Sequence, residues 1–291
     1  MNGQRLAGLL MIIQGVFFTI ETAIVHHIGA GVTVMQLGLL RGCGGLLLVM
    51  VLARSMVGAV VKTNQLWLQV LRGAAQASFF WILMYAFTRL PFADTWAISY
   101  TLIAYIAVFS ALILRERITT LRWIASATGM IGALLVTQPA FQAWNIVYVV
   151  ILLGTSLHGL QFVLMKYLQR PGGDTALTTM FYANVVFVVG NLPVLAPADL
   201  PAPEVWPWLL GVLVFGSVGT YLGVVALRYA DASALGLFTL LPLVCAVAVG
   251  VILFHEIPNV LSWIGIAIIL GSCWVAMRPA PAALQEPKPA Q

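Results

Sequence analysis

The chain has 291 residues, 62% of them hydrophobic and only 8% charged. A water-soluble domain of that length needs far more charge to cover its surface, so the solvent for most of this chain is lipid. The formal net charge of +5 would suit an anionic partner, but the placement of the basic residues accounts for it without nucleic acid.

Apolar segments long enough to span a bilayer fall at 6–25, 32–53, 66–88, 92–114, 119–138, 146–165, 175–195, 206–227, 233–254 and 258–278, which predicts ten transmembrane helices. The first follows Arg5 and superficially resembles a secretory leader. It continues for about twenty residues, contains Gln14 and Glu21, and ends at HHIGAG with no A-x-A cleavage pattern, so it reads as a mature spanning helix. Ionisable groups at membrane depth persist only when they face water, a partner or a ligand, which makes every polar side chain in these spans a candidate.

On the first helix Gln14 and Glu21 are seven residues apart and share a face, expected to point away from Phe17 and Phe18. Glu21 is a candidate substrate or proton-coupling group, with a structural partnership to an arginine or to His26 and His27 as the alternative. The two histidines themselves read as solvated residues at the helix end or as a pH-sensing exit gate. Arg41, midway along the second helix, suits either an ion pair with Glu21 or an anion site. On the third, Gln69, Arg72 and Gln76 share one face; Arg72 is expected to snorkel to the interface and Gln76 to sit deep enough to line a cavity. The fourth offers Trp96 and Tyr100 four residues apart, as core packing or as a binding platform, with Tyr105 further in. The sixth carries Thr155, His158 and Gln161 on one face, and Gln161 is the repeat equivalent of Glu21. Tyr182 and Asn184 on the seventh, Ser217 and Tyr221 on the eighth, and Thr239 before Pro242 on the ninth complete the polar set, the proline freeing a mid-span carbonyl. The candidate substrate-binding residues are thus Gln14, Glu21, Arg41, Gln76, Trp96, Tyr100, His158, Gln161, Tyr221 and Thr239. Cys43, Cys245 and Cys273 have neither CxxC nor Cys/His spacing and read as small core residues, so no metal site is expected.

A shift of 140 residues places Ala86 on Ala226, Glu116 on Glu256, Leu121 on Leu261, Trp123 on Trp263, Ile124 on Ile264, Ala127 on Ala267 and Pro139 on Pro279. The chain is therefore read as a duplicated five-helix unit, 1–140 and 141–280, followed by a disordered tail at 281–291. With the N-terminus cytoplasmic, Arg5, Arg54, Lys62, Arg115, Arg117, Arg122, Lys166, Arg170, Arg228, Arg278 and Lys288 all lie inside and only Arg89 outside. Five crossings per half invert the second copy, and its loop HEIPNVLS accordingly lacks every base of RERITTLR. Glu116 and Glu256 are expected to cap or pair at helix ends rather than touch substrate. Trp67, Trp123, Trp144, Trp206, Trp208 and Trp263 fall near helix ends, where interface anchoring is expected.

LRG at the third helix, YAFTRLPFAD before the fourth and LRERITTLRW after it, together with Glu116 and Glu256 and the tryptophans that follow them, resemble the drug/metabolite transporter superfamily, EamA type, over about residues 1–280. His255 and Pro258 flanking the second glutamate depart from the pattern in a loop. The resemblance implies a carrier moving small metabolites by alternating access through a cavity between two halves; members export amino acids, aromatic compounds, nucleobases or opine-type metallophores. No Walker motif, HExxH pair or serine–histidine set is present, so neither an ATP-driven pump nor an enzyme is expected, and no cofactor. The sequence thus predicts a secondary exporter in the inner membrane, with both termini cytoplasmic. Its expected partners are the bilayer, a small polar or zwitterionic substrate and protons. A multidrug-type exporter of lipophilic cations and an uncoupled facilitator are the alternatives.

Overall fold

The computed structural model describes residues 3–28, 32–141, 145–192, 201–254 and 257–276, and every regular element among them is helical. Trp144, His255, Glu256, Arg278, Pro279, Lys288 and the 281–291 tail lie outside the described residues, as does the side chain of His26. Eight helices are long and apolar enough to cross a bilayer, and two shorter apolar ones bring the set to ten. We number them α1 (Gly3–Ile28), α2 (Val34–Ala53), α3 (Leu66–Arg89), α4 (Phe92–Ser99 and Leu102–Phe109, closed by a π-turn over Ser110–Leu114), α5 (Thr120–Thr137), α6 (Val147–Leu168), α7 (Ala176–Asn191), α8 (Trp206–Ala226), α9 (Ala232–Phe238 and Leu241–Phe254) and α10 (Val260–Ala276). The short pair, α7 and α10, has 16 and 17 residues. That is about 25 Å at the helical rise, close to the thickness of the hydrocarbon layer.

Helix starts are written in threonine. Thr33 forms a capping box with Gln36, while Thr119 and Thr175 accept from the N–H groups of Arg122 and Thr178, satisfying donors that the first turn leaves orphaned. Interruptions are also signalled locally. α9 breaks just before Pro242, which has no N–H to give. α4 breaks at the equivalent level without a proline, where the Thr101 hydroxyl bonds the Ile98 carbonyl at 2.6 Å, as Thr239 bonds Gly236 at 2.6 Å in α9. Both threonines compete with the helix for its own backbone.

The packing repeats the duplication. α1 lies on α8 as α6 lies on α3; α2 lies on α8 as α7 lies on α3; α4 meets α6 as α9 meets α1; and α2–α7, α4–α9 and α5–α10 pair across the halves. Exchanging each first-half helix for its counterpart five places on leaves this pattern unchanged, which is a pseudo-two-fold relation. Since each half crosses five times, the second begins on the opposite side, and the chain is an all-α membrane protein of two inverted five-helix repeats.

Loop contacts identify the two faces. Gln4 donates to the Ala276 carbonyl (3.1 Å), Thr63 to Asp174 (2.7 Å), and Lys166 to the carbonyls of Leu227 and Ala230, so these ends and loops share one side. Arg122, 2.7 Å from Asp231, joins them. This basic face carries Arg5, Arg54, Lys62, Arg115, Arg117, Arg122, Lys166, Arg170 and Arg228, and Arg89 lies on the other. Trp67, Trp123, Trp206, Trp208 and Trp263 are all exposed near helix ends. Cys43 corrects the core reading of the cysteines: it is exposed, Cys245 is half-buried and Cys273 buried. On α2, Gly42 and Gly45 face α7 and Gly44 faces α8, so Cys43 turns outward, and lipid is as apolar as a core.

Opposite the basic face, Asp94 is fully buried and accepts from the N–H of Ala140 (2.8 Å), the N–H of Phe141 (3.2 Å) and the Tyr148 hydroxyl (2.8 Å). One carboxylate thus ties the start of α4 to the end of α5 and the start of α6. Asp94→Ala strands those donors and should destabilise the protein by about 2–4 kcal/mol, with Asp94→Asn losing roughly half as much, read as thermal unfolding midpoints in detergent.

Candidate functional site

Inside a bilayer each polar group must find a partner in the protein, in trapped water or in a ligand. For one set the protein supplies contacts, while Gln69 Oε1 and Arg72 Nε stay buried without a partner. Thr239 is spent on Gly236, Thr155 on the Ile151 carbonyl (2.8 Å), Asn184 on the Met180 carbonyl (2.8 Å) and Tyr182 on the Val61 carbonyl. Gln69 donates to Asp174 at 2.8 Å. Arg72 does not snorkel: it is 2% exposed and donates to the Thr179 carbonyl (2.9 Å) and the Met165 sulfur (3.1 Å). Those acceptors, supplied where α3 meets α6 and α7, are nearer than the interface its stem was expected to seek. Tyr221 packs with Leu48, Val49, Met180 and Phe181, about 140° around α8 from the residue that meets Glu21.

Another set is left unpaired. The amide oxygens of Gln14 and Gln161 are buried without a hydrogen-bond partner, and no hydrogen bond among the described residues engages Gln76, the Trp96 indole, the Tyr100 hydroxyl or His158. These side chains come from α1, α3, α4 and α6. Arg41 of α2 pairs with Glu21: its Nη1 is 3.4 Å from Glu21 Oε1, and its guanidinium lies 5.1 Å over the Phe18 ring.

Glycines on α8 set the depth of the α1 face. A Cβ at Gly216 would come within 2.6 Å of the Glu21 carboxylate, one at Gly219 within 3.0 Å of the Phe18 ring, and one at Gly223 within 2.6 Å of the Gln14 amide. Gln14, Phe18 and Glu21 therefore share a face at i, i+4 and i+7, and the expectation that the polar stripe turns away from Phe18 is corrected. On the other side of the pseudo-axis the bulk is distributed differently: Gly154 receives Ile82, and His158 stacks on Phe79 with centroids 4.1 Å apart and planes at 24°.

Arg41 is the open member of its ion pair. Its side chain is 37% exposed against 9% for Glu21. On α2 it lies between Gly38 and Gly45, which pack on α7, and Gly44, which packs on α8, while Cys43 and Leu47 point outward. Its accessible surface therefore opens between the halves and not to lipid. A ladder of rings runs along α4 from the Arg89 face: Phe92 and Phe87 against Trp96, and Trp96 stacked on Tyr100 at 6.0 Å and 26°. Thr239 makes an intrahelical bond and Tyr221 packs between α2, α7 and its own α8, and Asp94, Asp174 and Asp231 are structural carboxylates that the sequence reading does not single out.

The EamA-like transporter family matches residues 5–138 and, a second time, residues 145–278. The chain belongs to the EamA-like transporter family. Like other EamA-like transporters it is a multi-pass membrane protein that moves a small metabolite, within the drug/metabolite transporter superfamily. It is 28% identical over 223 residues to a riboflavin transporter of Brucella anthropi, covering 75% of this chain and 78% of that one. It is 26% identical to an S-adenosylmethionine uptake transporter of Rickettsia prowazekii, covering 72% and 71%, and 22% identical to the pseudopaline exporter CntI of Pseudomonas aeruginosa, covering 93% and 95%. A crystal structure at 16% identity superposes with a TM-score of 0.79 over 94% of this EamA-like chain and 96% of its own, which shows the shared fold.

Proposed function

We propose that the protein is a secondary carrier that binds a small polar or zwitterionic metabolite between its halves and passes it across the membrane by alternating access. The observations that support this are the polar groups left unpaired on α1, α3, α4 and α6 and the Arg41–Glu21 ion pair between the halves. Arg41 offers free donors to a carboxylate, Glu21 an acceptor to an ammonium, and Trp96, Tyr100 and the Phe79–His158 stack receive an apolar or ring portion. Gln14, Gln76 and Gln161 supply the remaining hydrogen bonds. Glu21 is the candidate proton-coupling group. The units are 1–140 and 141–280, and the basic face is cytoplasmic in a bacterial-type inner membrane, following the placement of lysine and arginine.

The named relatives carry riboflavin, S-adenosylmethionine and pseudopaline, so the cargo differs widely at these identities and is read here from the site. Amino acids and amino-acid-derived compounds, including opine-type metallophores, fit the two charges. A lipophilic cation fits less well, because Arg41 beside Glu21 repels it. Export is the expected direction, and the relatives include both uptake and export carriers.

The test is counterflow of radiolabelled zwitterions in liposomes holding the purified protein, guided by the metabolites that a deletion strain fails to secrete. Accumulation that rises with an imposed proton gradient is the expected result. Accumulation indifferent to the gradient identifies a facilitator, and none for any zwitterion by folded protein overturns the reading.

A further inference from the structure

Glu116 sits where the first half meets the second on the basic face. Its carboxylate accepts from the N–H of Ala232 (2.9 Å), the N–H of Ser233 (3.1 Å) and the Ser233 hydroxyl (2.7 Å), all at the start of α9. Around it Arg122 pairs with Asp231 at 2.7 Å, and Lys166 donates to the carbonyls of Leu227 and Ala230. The α4–α5 joint and the end of α6 thus both grip the α8–α9 turn.

The backbone presenting Glu116 is itself unusual. α4 ends in a π-turn over Ser110–Leu114, Arg115 adopts the left-handed conformation at φ 56° and ψ 31°, and the Glu116 N–H reaches back to the Ser110 carbonyl at 3.1 Å. The Ser110 hydroxyl is buried with no partner. Arginine has no preference for that conformation and π-turns are rare outside functional joints, so such a joint persists only where its surroundings over-determine it. Here the bonds of Glu116 to α9 do so.

Resting on the alternating-access reading above, we propose that Glu116 is a gating residue: its grip on the start of α9 holds the basic face closed, and access from that face requires its release. The strained π-turn relaxes as Glu116 lets go, which favours release once substrate has bound.

Spin labels at Thr120→Cys and Arg228→Cys, both exposed on the basic face, report the gap between the halves by pulsed electron resonance in nanodiscs, with the native cysteines replaced. The parent should show a dominant short distance and a minor long one. Glu116→Ala should raise the long-to-short ratio about tenfold and Ser233→Ala, which removes one donor and leaves the glutamate, about threefold. A merely structural cap would lower the unfolding midpoint in these variants and leave the ratio unchanged. If two distances exchange and Glu116→Ala leaves their ratio unchanged, the gate is overturned while alternating access stands. If Glu116→Ala does not fold, an unchanged ratio in Ser233→Ala overturns it equally. A single short distance in every variant removes alternating access at this face, and the gate with it.

Discussion

Arg41→Ala should cut counterflow at least about a hundredfold, the largest effect on transport of any single change to the site. The substitution removes the donors offered to a substrate carboxylate and leaves Glu21, 7% exposed, as a buried carboxylate whose partner at 3.4 Å is gone. Glu21 is buried but Arg41 is more than a third exposed and screened, so losing the pair costs roughly 1–3 kcal/mol, and a lower thermal midpoint in detergent accompanies it. A structural pair and a binding pair are separated by removing both charges. Glu21→Leu with Arg41→Met should recover most of the stability, since apolar groups of similar volume replace an ion pair at little cost, while transport stays lost. Recovery of both would make the pair a structural one.

Gly132→Val should be the most damaging change to the fold. A Cβ at Gly132 would lie 2.8 Å from the Gly265 carbonyl oxygen, and one at Gly265 would lie 2.6 Å from the Gly132 carbonyl. The obstacle on each side is backbone, which cannot swing away as a side chain can, so α5 and α10 would have to separate along their length. Overpacking of this kind costs about 3 kcal/mol or more, and the expected result is a protein that no longer elutes as a single species after mild heating. Gly271→Ala, on α10 with open space around its Cβ position, is the control and should fall within about 0.5 kcal/mol of the parent.

Much of this architecture is legible in the chain because hydrophobic length and loop charge are local properties. The expected span at 92–114 is the one observed, and 66–88 and 206–227 differ from the helices by a residue. The ion pair considered for Arg41 is present, and Glu116 caps a helix end as expected. Failures arise where two apolar environments must be told apart or where rotation around a helix decides the outcome. Cys43 faces lipid in a run that reads the same as core. Phe18 shares the face of Gln14 and Glu21 because α8 offers glycines to all three, and nothing in α1 announces those glycines. Arg72 finds a carbonyl and a sulfur on helices about a hundred residues away, and no nearby residue foretells them. Asp94 gains its partners only once α5 has turned back through Gln138 and Phe141, both left-handed.

The unchanged packing pattern under exchange of the halves has an energetic corollary. A carrier made of two identical halves would have end states of equal free energy by symmetry, resting half its time open to each side. Any bias must come from residues without a counterpart. Gln69 with the Asp174 carboxylate and Arg72 with the Thr179 carbonyl stitch α3 to the α6–α7 region, while the positions corresponding to Gln69, Arg72 and Asp174 are Leu209, Val212 and Val34, whose side chains neither donate nor accept. On the alternating-access reading proposed above, this one-sided polar seam contributes to the resting preference of the molecule, and loosening it would bring the two orientations closer to parity.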